Sequence, residues 1–464
     1  MKTPALCPLD GRYGGRLGAL RSVMSEAAFT ASRVRAELNW FTVLSHLKLP
    51  RFAALSAQEA DLLKNLLPLT EQDLEIIRAL EFDGCGKIPA TKHDVKAVEY
   101  FLKLRLKNTP LKDRLEWFHF ALTSEDINSA AYAMLLADGV EKAILPALEN
   151  LQKDLAQLAR KEARSVLLAR THGQAAVPTT FGKEIRVFEA RLSHQLQELK
   201  KREISLKFGG AVGNYNAHLA AFPKVNWAAA ARRFVTSLNK GRKIKIVLSP
   251  ISTQVDNRDT YAELFDNVRR INTILLGLSQ DMWRYISAGL VRQKTAAGEV
   301  GSSTMPQKVN PIDFENTEGN LQVADALLEL FSRKLPVSRL QRDLSDSTVL
   351  RNMAVAFGYA LTAYLSLSKG LSKILFDRKA AQAELSAHPE VLAEGVQTIL
   401  RAAGYPNPYE TLRDFTRGRK MTPALWQEFI EGLAVDGPTK QRLRALSLET
   451  YLGFAVQLAE GKYD

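Results

Sequence analysis

Cysteine is nearly absent from this 464-residue chain, with Cys7 and Cys85 the only two. Two thiols so far apart build no disulfide framework and suit a reducing compartment. Histidine is scarce as well, seven in all, and none of them stands at His-x3-His spacing or within His-Glu-x-x-His. No transition metal is therefore expected. Long apolar runs are missing. The longest uncharged stretch, between Arg351 and Lys369, contains Asn352, Tyr359, Thr362, Tyr364, Ser366 and Ser368. A spanning helix wants about 20 predominantly apolar residues, so a buried core helix is expected instead. Met1 to Cys7 carries one positive charge and no apolar run of about 7 residues or more, so a secretory leader is not expected and a cytoplasmic protein is. Strand patterning is almost wanting too: only Lys243 to Leu248 alternates, before Ser249-Pro250. Gly209-Gly210-Ala211-Val212-Gly213 lacks the strand, the spacing and the later acid of a dinucleotide fingerprint. There is no Walker loop and no Gly-x-Ser-x-Gly elbow, which excludes a P-loop nucleotidase and an α/β-hydrolase triad. No organic cofactor is expected, and no internal repeat or low-complexity tract is present.

What the chain does have is long helical periodicity. Hydrophobic residues make up 46% and charged residues 24%, which rules out a disordered chain. Ile144, Leu148, Leu151, Leu155 and Leu158 step by four and three; so do Ile185, Phe188, Leu192, Leu196 and Leu199. Leu264, Val268, Ile271, Leu275, Leu278 and Met282 form a third stripe, and Leu321, Ala324, Leu328 and Phe331 a fourth. Such spacing puts apolar side chains on one helix face, and stripes of this length predict a bundle of long helices. Helices are shorter before about residue 110, where Pro50, Pro68 and Gly84 to Gly86 interrupt them. They shorten again after about 370, around His388-Pro389, Gly404-Tyr405-Pro406 and Gly437-Pro438. The expected fold is all-α in three helical domains: 1–111, a central long-helix bundle over 112–370, and 371–464.

Lys and Arg outnumber Asp and Glu to give a formal charge of +13. That favours an anionic partner without choosing among nucleic acid, an anionic membrane surface and a phosphorylated or polycarboxylate substrate. The segments that break the helical rhythm narrow the choice. Gly298-Glu299-Val300-Gly301-Ser302-Ser303-Thr304-Met305-Pro306-Gln307-Lys308-Val309-Asn310-Pro311 cannot continue the third stripe and must form a loop between two long helices. Its backbone N–H groups and Lys308 are suited to holding a carboxylate or a developing negative charge, although a plain interhelix linker has the same composition. His172 lies among Arg170, Thr171, Gly173 and Gln174, between two stripes. His93 stands beside Asp94, and a carboxylate can fix an imidazole's orientation; helix packing would place it there equally. Thr123-Ser124-Glu125-Asp126 reads as a helix N-cap with acids in the first turn.

The loop with Gly301-Ser302-Ser303, Met305-Pro306, Lys308 and Asn310, followed by Glu315, is similar to the signature of the fumarase/aspartase superfamily. Asp10-Gly11-Arg12-Tyr13, Thr91-Lys92-His93-Asp94-Val95, Leu122 to Asp126, Arg170 to Gln174 and Arg342-Asp343-Leu344-Ser345-Asp346-Ser347 resemble, in order, the adenylosuccinate lyase family in its longer bacterial type. Ala175 departs from the family's usual Pro, and Lys92 fills a position the family leaves variable. The resemblance implies a lyase of purine biosynthesis. It would eliminate fumarate from adenylosuccinate to give AMP, and from succinyl-aminoimidazole carboxamide ribotide to give AICAR. It further implies Ser302 as general base and His172 as general acid, with His93 and Lys308 assisting. The implied substrate shell is Arg12, Tyr13, Lys92, His93, Asp94, Thr123, Ser124, Gln254, Lys308, Asn310, Arg342, Ser347, Thr348 and Arg351. A cytoplasmic homotetramer with shared active sites, a small-molecule substrate, and neither nucleic acid nor membrane as partner complete the expectation. Two rivals stay open at this level. Argininosuccinate lyase or fumarase shares the signature loop, and a basic nucleic-acid-binding protein would use clusters such as Lys200-Lys201-Arg202.

Overall fold

The computed structural model describes residues 4–294, 305, 308–419 and 421–462. In chain order, the elements that matter below are α1 (Glu26–Ser45), α2 (Asp94–Leu106), α3 (Ser124–Gly139) and α4 (Leu145–Lys161). Strands β1 (Val166–Thr171) and β2 (Gln174–Thr180) follow, then α5 (Phe181–Lys201), β3 (Glu203–Leu206), α6 (Trp227–Leu238) and β4 (Lys245–Leu248). The remainder comprises α7 (Asp259–Ser287), β5 (Val291–Gln293), α8 (Ile312–Lys334), α9 (Ser345–Leu350), α10 (Met353–Lys373) and β6 (Ile374–Phe376), before six short C-terminal helices.

The stripes are where the spacing predicts. Leu264, Val268, Ile271, Leu275, Leu278 and Met282 are all buried along α7, and Leu321, Ala324, Leu328 and Phe331 along α8. Of the stripes on α4 and α5, only Leu158 and Phe188 stay half-buried. The uncharged stretch after Arg351 becomes α10, whose Phe357, Ala360, Leu361, Tyr364 and Leu367 are buried. Among the described residues, no helix is long and apolar enough to cross a membrane.

The chain divides into two compact units, each assembled from three stretches: 1–148, 195–273 and 319–365 in the first, and 149–194, 274–318 and 366–464 in the second. In the first unit, α1 packs on α3, and Trp40 meets Phe208 edge to face at 4.9 Å and Phe234 at 6.2 Å. The β excursion expected at 243–248 is present as β4, which pairs in parallel with β3 from Glu203↔Lys245 to Leu206↔Leu248. The α3 N-terminus is fixed by a wholly buried ion pair. Asp126 accepts from Lys207 Nζ at 2.7 Å, from Gly209 N at 2.9 Å, and from Gly210 N at 3.1 Å. That is what Gly209 to Gly213 does in place of holding a dinucleotide. Gly213 (φ +84) lies so close to the next segment that a Cβ there would stand 2.3 Å from Ser252 O.

In the second unit the structure adds an antiparallel hairpin that the alternation pattern did not reveal. β1 pairs with β2 across the two residues His172 and Gly173, with a register shift between Leu168 and Arg170. His172 (φ +52) and Gly173 (φ +78) are both left-handed, as a two-residue hairpin turn of primed type requires. The strands escape detection because Val166-Leu167-Leu168 is a continuous apolar run and β2 contains Pro178. The C-terminal helices close on a core of Leu392, Val396, Leu400, Leu412, Trp426 and Leu443. Arg186 of α5 ties down the last helix, donating from Nε and Nη2 to Ala459 O at 3.1 and 3.0 Å.

Candidate active site

Most of the implied substrate shell falls in the first unit, in two linked clusters. The first forms where α2 and α3 begin. His93 is the N-cap of α2, and its Nδ1 accepts from Lys96 N at 3.3 Å. In that arrangement the neutral ring carries its proton on Nε2, which donates to Ser124 Oγ at 3.2 Å. His93 thus caps α2 and holds Ser124, with half its side chain exposed. Asp94 beside it accepts from Arg33, and Arg351 Nη2 approaches the same carboxylate oxygen at 3.5 Å. Burial would raise the Asp94 carboxyl, but Arg33, the Val95 N–H and His93 hold it below its ordinary range. Thr123 closes the first turn of α3, its N–H donating to Asp126 Oδ2 at 2.8 Å.

The second cluster surrounds Arg342. Its Nη1 donates to Gln254 Oε1 at 3.3 Å and its Nη2 to Ser347 Oγ at 3.2 Å. The same Nη2 lies 3.1 Å from Glu125 Oε2. The other oxygen of Glu125 takes Arg258 Nη2 at 2.9 Å. Burial dominates at Glu125 and pushes its carboxyl up to about 7, against the pull of Arg258 and Arg342. The loops carrying these residues are clipped together, because Thr253 Oγ1 donates to Gln341 O at 2.8 Å. Asp343 rigidifies its own loop by accepting from the Ser345 hydroxyl, from Ser345 N at 2.8 Å and from Arg339 N at 3.0 Å; these bonds hold its carboxyl far below the ordinary range.

Lys92 turns its Nζ back to Phe82 O at 2.6 Å, and Thr348 and Arg12 are exposed. Tyr13 is half-buried, its N–H donating to Pro8 O at 2.8 Å. In the second unit His172 is presented, exposed, at the tip of the β1–β2 hairpin. Arg170 braces that tip by donating to Gly173 O at 3.2 Å while pairing with Glu384. Lys308 is exposed, its N–H donating to Met305 O at 3.0 Å, and Asn310 precedes α8 half-buried. Ser302, with Gly301 and Ser303, lies outside the described residues. Sequence reasoning missed Arg258 and Arg33 and took Glu125 only as a capping acid. A sign was available at Arg258: it closes Gln254-Val255-Asp256-Asn257-Arg258, a polar break immediately before the third apolar stripe.

A lyase family model matches residues 89–324, and a model of the adenylosuccinate lyase C-terminal region matches residues 338–452. The chain is 44% identical to an adenylosuccinate lyase of Escherichia coli K12, and 42% identical to one of Vibrio cholerae. Each match covers 98% of this chain and 98% of the relative. The chain belongs to the adenylosuccinate lyase family. It is accordingly a fumarate-releasing carbon–nitrogen lyase of purine biosynthesis. The fold is shared more widely. A fumarate lyase from Mesorhizobium sp. BNC1 superposes with a TM-score of 0.73 at 17% identity, and a 3-carboxy-cis,cis-muconate lactonizing enzyme from Pseudomonas putida with 0.71 at 19%. Each covers 96% of both chains. The first family model spans His93, Thr123, His172 and Ser302, and the second spans Arg342, Ser347 and Arg351.

Proposed function

We propose that the chain eliminates fumarate from adenylosuccinate and from succinyl-aminoimidazole carboxamide ribotide, in sites shared between subunits of a cytoplasmic homotetramer. Ser302 removes the proton from the carbon next to a succinyl carboxylate. The electron pair is held as an aci-carboxylate, offset by Lys308 and Asn310. The C–N bond then breaks as His172 delivers a proton to the departing nitrogen, leaving fumarate and either AMP or AICAR. A serine hydroxyl is a poor base at its free pKa, so the signature loop must activate it. Arg342, Gln254, Ser347, Ser124 and His93 bind the anionic substrate, as guanidinium, amide, hydroxyl and imidazole groups suit phosphate and carboxylate oxygens.

The observation that carries this reading is the preassembled Arg342 cluster, with Gln254, Ser347 and Glu125, three side chains, within hydrogen-bond reach of one guanidinium. Support for shared sites comes from two features. His172 stands exposed on a hairpin tip, and the long helices expose Trp283 on α7 and Ile312, Val323 and Leu330 on α8. In a homotetramer such side chains would be covered by other copies. The three-domain division at 111 and 370 belongs to the same reading, supported by α4, α5, α7, α8 and α10 all beginning between residues 145 and 353. The test is direct: add each succinylated substrate, follow its absorbance, and quantify fumarate. Release of one fumarate per substrate consumed is expected; turnover of argininosuccinate or hydration of fumarate instead would transfer the chain to a sister activity.

A further inference from the structure

The wholly buried Arg258 pairs with Glu125, the same carboxylate that braces Arg342. Arg258 immediately precedes α7 in a left-handed conformation (φ +60), with its N–H donating to Asp256 Oδ2 at 3.0 Å. Its guanidinium carbon lies 4.8 Å from the centre of the Tyr261 ring. Among the described residues, its Nε and Nη1 have no hydrogen-bond partner. A cation buried to 1% exposure is costly unless paired, so Arg258 holds Glu125 strongly in place. Glu125, equally buried, has one oxygen committed to Arg258 and the other turned to Arg342. Arg342 is differently provided for. Both Nη atoms are engaged, while its buried Nε–H has no partner among the described residues. Arg342 keeps 17% of its side chain exposed, and a guanidinium suits bidentate contact with phosphate or carboxylate oxygens.

We propose that Glu125, anchored from behind by Arg258, is the positioning residue that aims Arg342 at an anionic group of the substrate. The inference rests on Arg342 belonging to the substrate shell and adds the two residues that set its direction. Neither of them touches substrate. Without Glu125 a long arginine side chain loses its charged brace and keeps only an amide and a hydroxyl as guides, so binding suffers more than the chemical step. Interactions made equally in ground and transition states appear in KM rather than in kcat.

The test compares Glu125→Gln, Glu125→Asp, Arg342→Lys and the double variant Glu125→Gln/Arg342→Lys, with thermal melting measured on each. Glu125→Gln is expected to raise KM about tenfold or more while kcat stays within about threefold, and Glu125→Asp to recover most of that loss. The double variant should be little worse than Arg342→Lys alone, because both changes remove one directed contact. If Arg342→Lys raises KM and a folded Glu125→Gln does not, the positioning role is wrong while Arg342 keeps its place. If Arg342→Lys leaves KM unchanged, the substrate-shell reading falls, and this inference with it. Should Glu125→Gln not fold, Arg258→Met decides in its place, because it removes the anchor behind the carboxylate: a folded Arg258→Met with unchanged KM overturns the proposal.

Discussion

Acid–base roles at single residues give the sharpest expectations. Ser302→Ala and His172→Ala should each lower turnover by at least about a hundredfold, the low end of what positioned acid–base groups contribute. KM should change far less, and steady-state assays on each variant check both numbers. His218 makes a separate expectation, about stability. It is wholly buried against Trp227 (4.9 Å between ring centres), Tyr215 (5.3 Å) and Trp40 (6.0 Å), and among the described residues neither ring nitrogen has a hydrogen-bond partner. Burial lowers its pKa to about 4, reinforced by Lys207 and opposed by Asp126. The folded protein thus keeps the ring neutral where the unfolded chain, near 6.5, takes up a proton. Stability from this site is complete above about pH 6.5, falls as pH drops through the interval, and is gone below about pH 4. The gap corresponds to about 3 kcal/mol. His218→Phe fills the same aromatic box without a proton to bind. Its urea midpoint should therefore fall less between pH 7 and pH 4 than the wild type's. Equal pH slopes for the two proteins would assign the acid sensitivity elsewhere.

Among the elements, the β1–β2 hairpin concentrates the most consequence in the fewest residues. Its turn is left-handed at both His172 and Gly173, and a β-branched side chain is poorly tolerated at positive φ. Gly173→Val should therefore cost about 1–2 kcal/mol locally and displace the ring of His172. Turnover should fall at least about tenfold with the global melting temperature nearly kept, because the hairpin tip carries little of the core. Normal turnover in Gly173→Val would mean that the turn does not set a position of His172 on which turnover depends. The helices and this hairpin differ in how readable they were. On α7 and α8 every stripe residue named from spacing is buried, because a 3.6-residue period over four to six turns leaves little alternative. The hairpin strands are short, one is apolar throughout its start and the other contains a proline, so no period of two could emerge. The site divides in the same way. His93, Ser124, Gln254, Arg342 and Ser347 were legible as motif residues through resemblance. Arg33 was not, and Arg258 was marked only as the end of a polar break, because an arginine's burial shows once its carboxylate partner is placed beside it, more than 60 residues away in sequence.

For the whole molecule, the shared-site reading has a test that needs no structure. A 25-residue helix is about 37 Å long, so loops at opposite ends of a long bundle stand far apart. Several bundles side by side would gather loops from different chains. If they do, mixing inactive Ser302→Ala and inactive His172→Ala proteins under subunit exchange should restore a minor but clear fraction of activity, since some sites then receive both intact residues. Exchange without any returning activity would place both residues of a site on one chain. The interleaving of the two compact units carries a further consequence, for synthesis. The first unit needs residues 1–148, 195–273 and 319–365, and the second needs everything from 366 to its end as well as two earlier stretches. Neither is a contiguous polypeptide, so neither can be released by a single proteolytic cut or expressed as a simple truncation. On the ribosome, the buried partner of Glu125 emerges 133 residues after it and Arg342 later still. At synthesis rates of about 5–20 residues per second, that leaves the charged centre of the first unit unmatched for about 7 to 27 seconds. Nascent chains paused within this interval should be the species that chaperones bind.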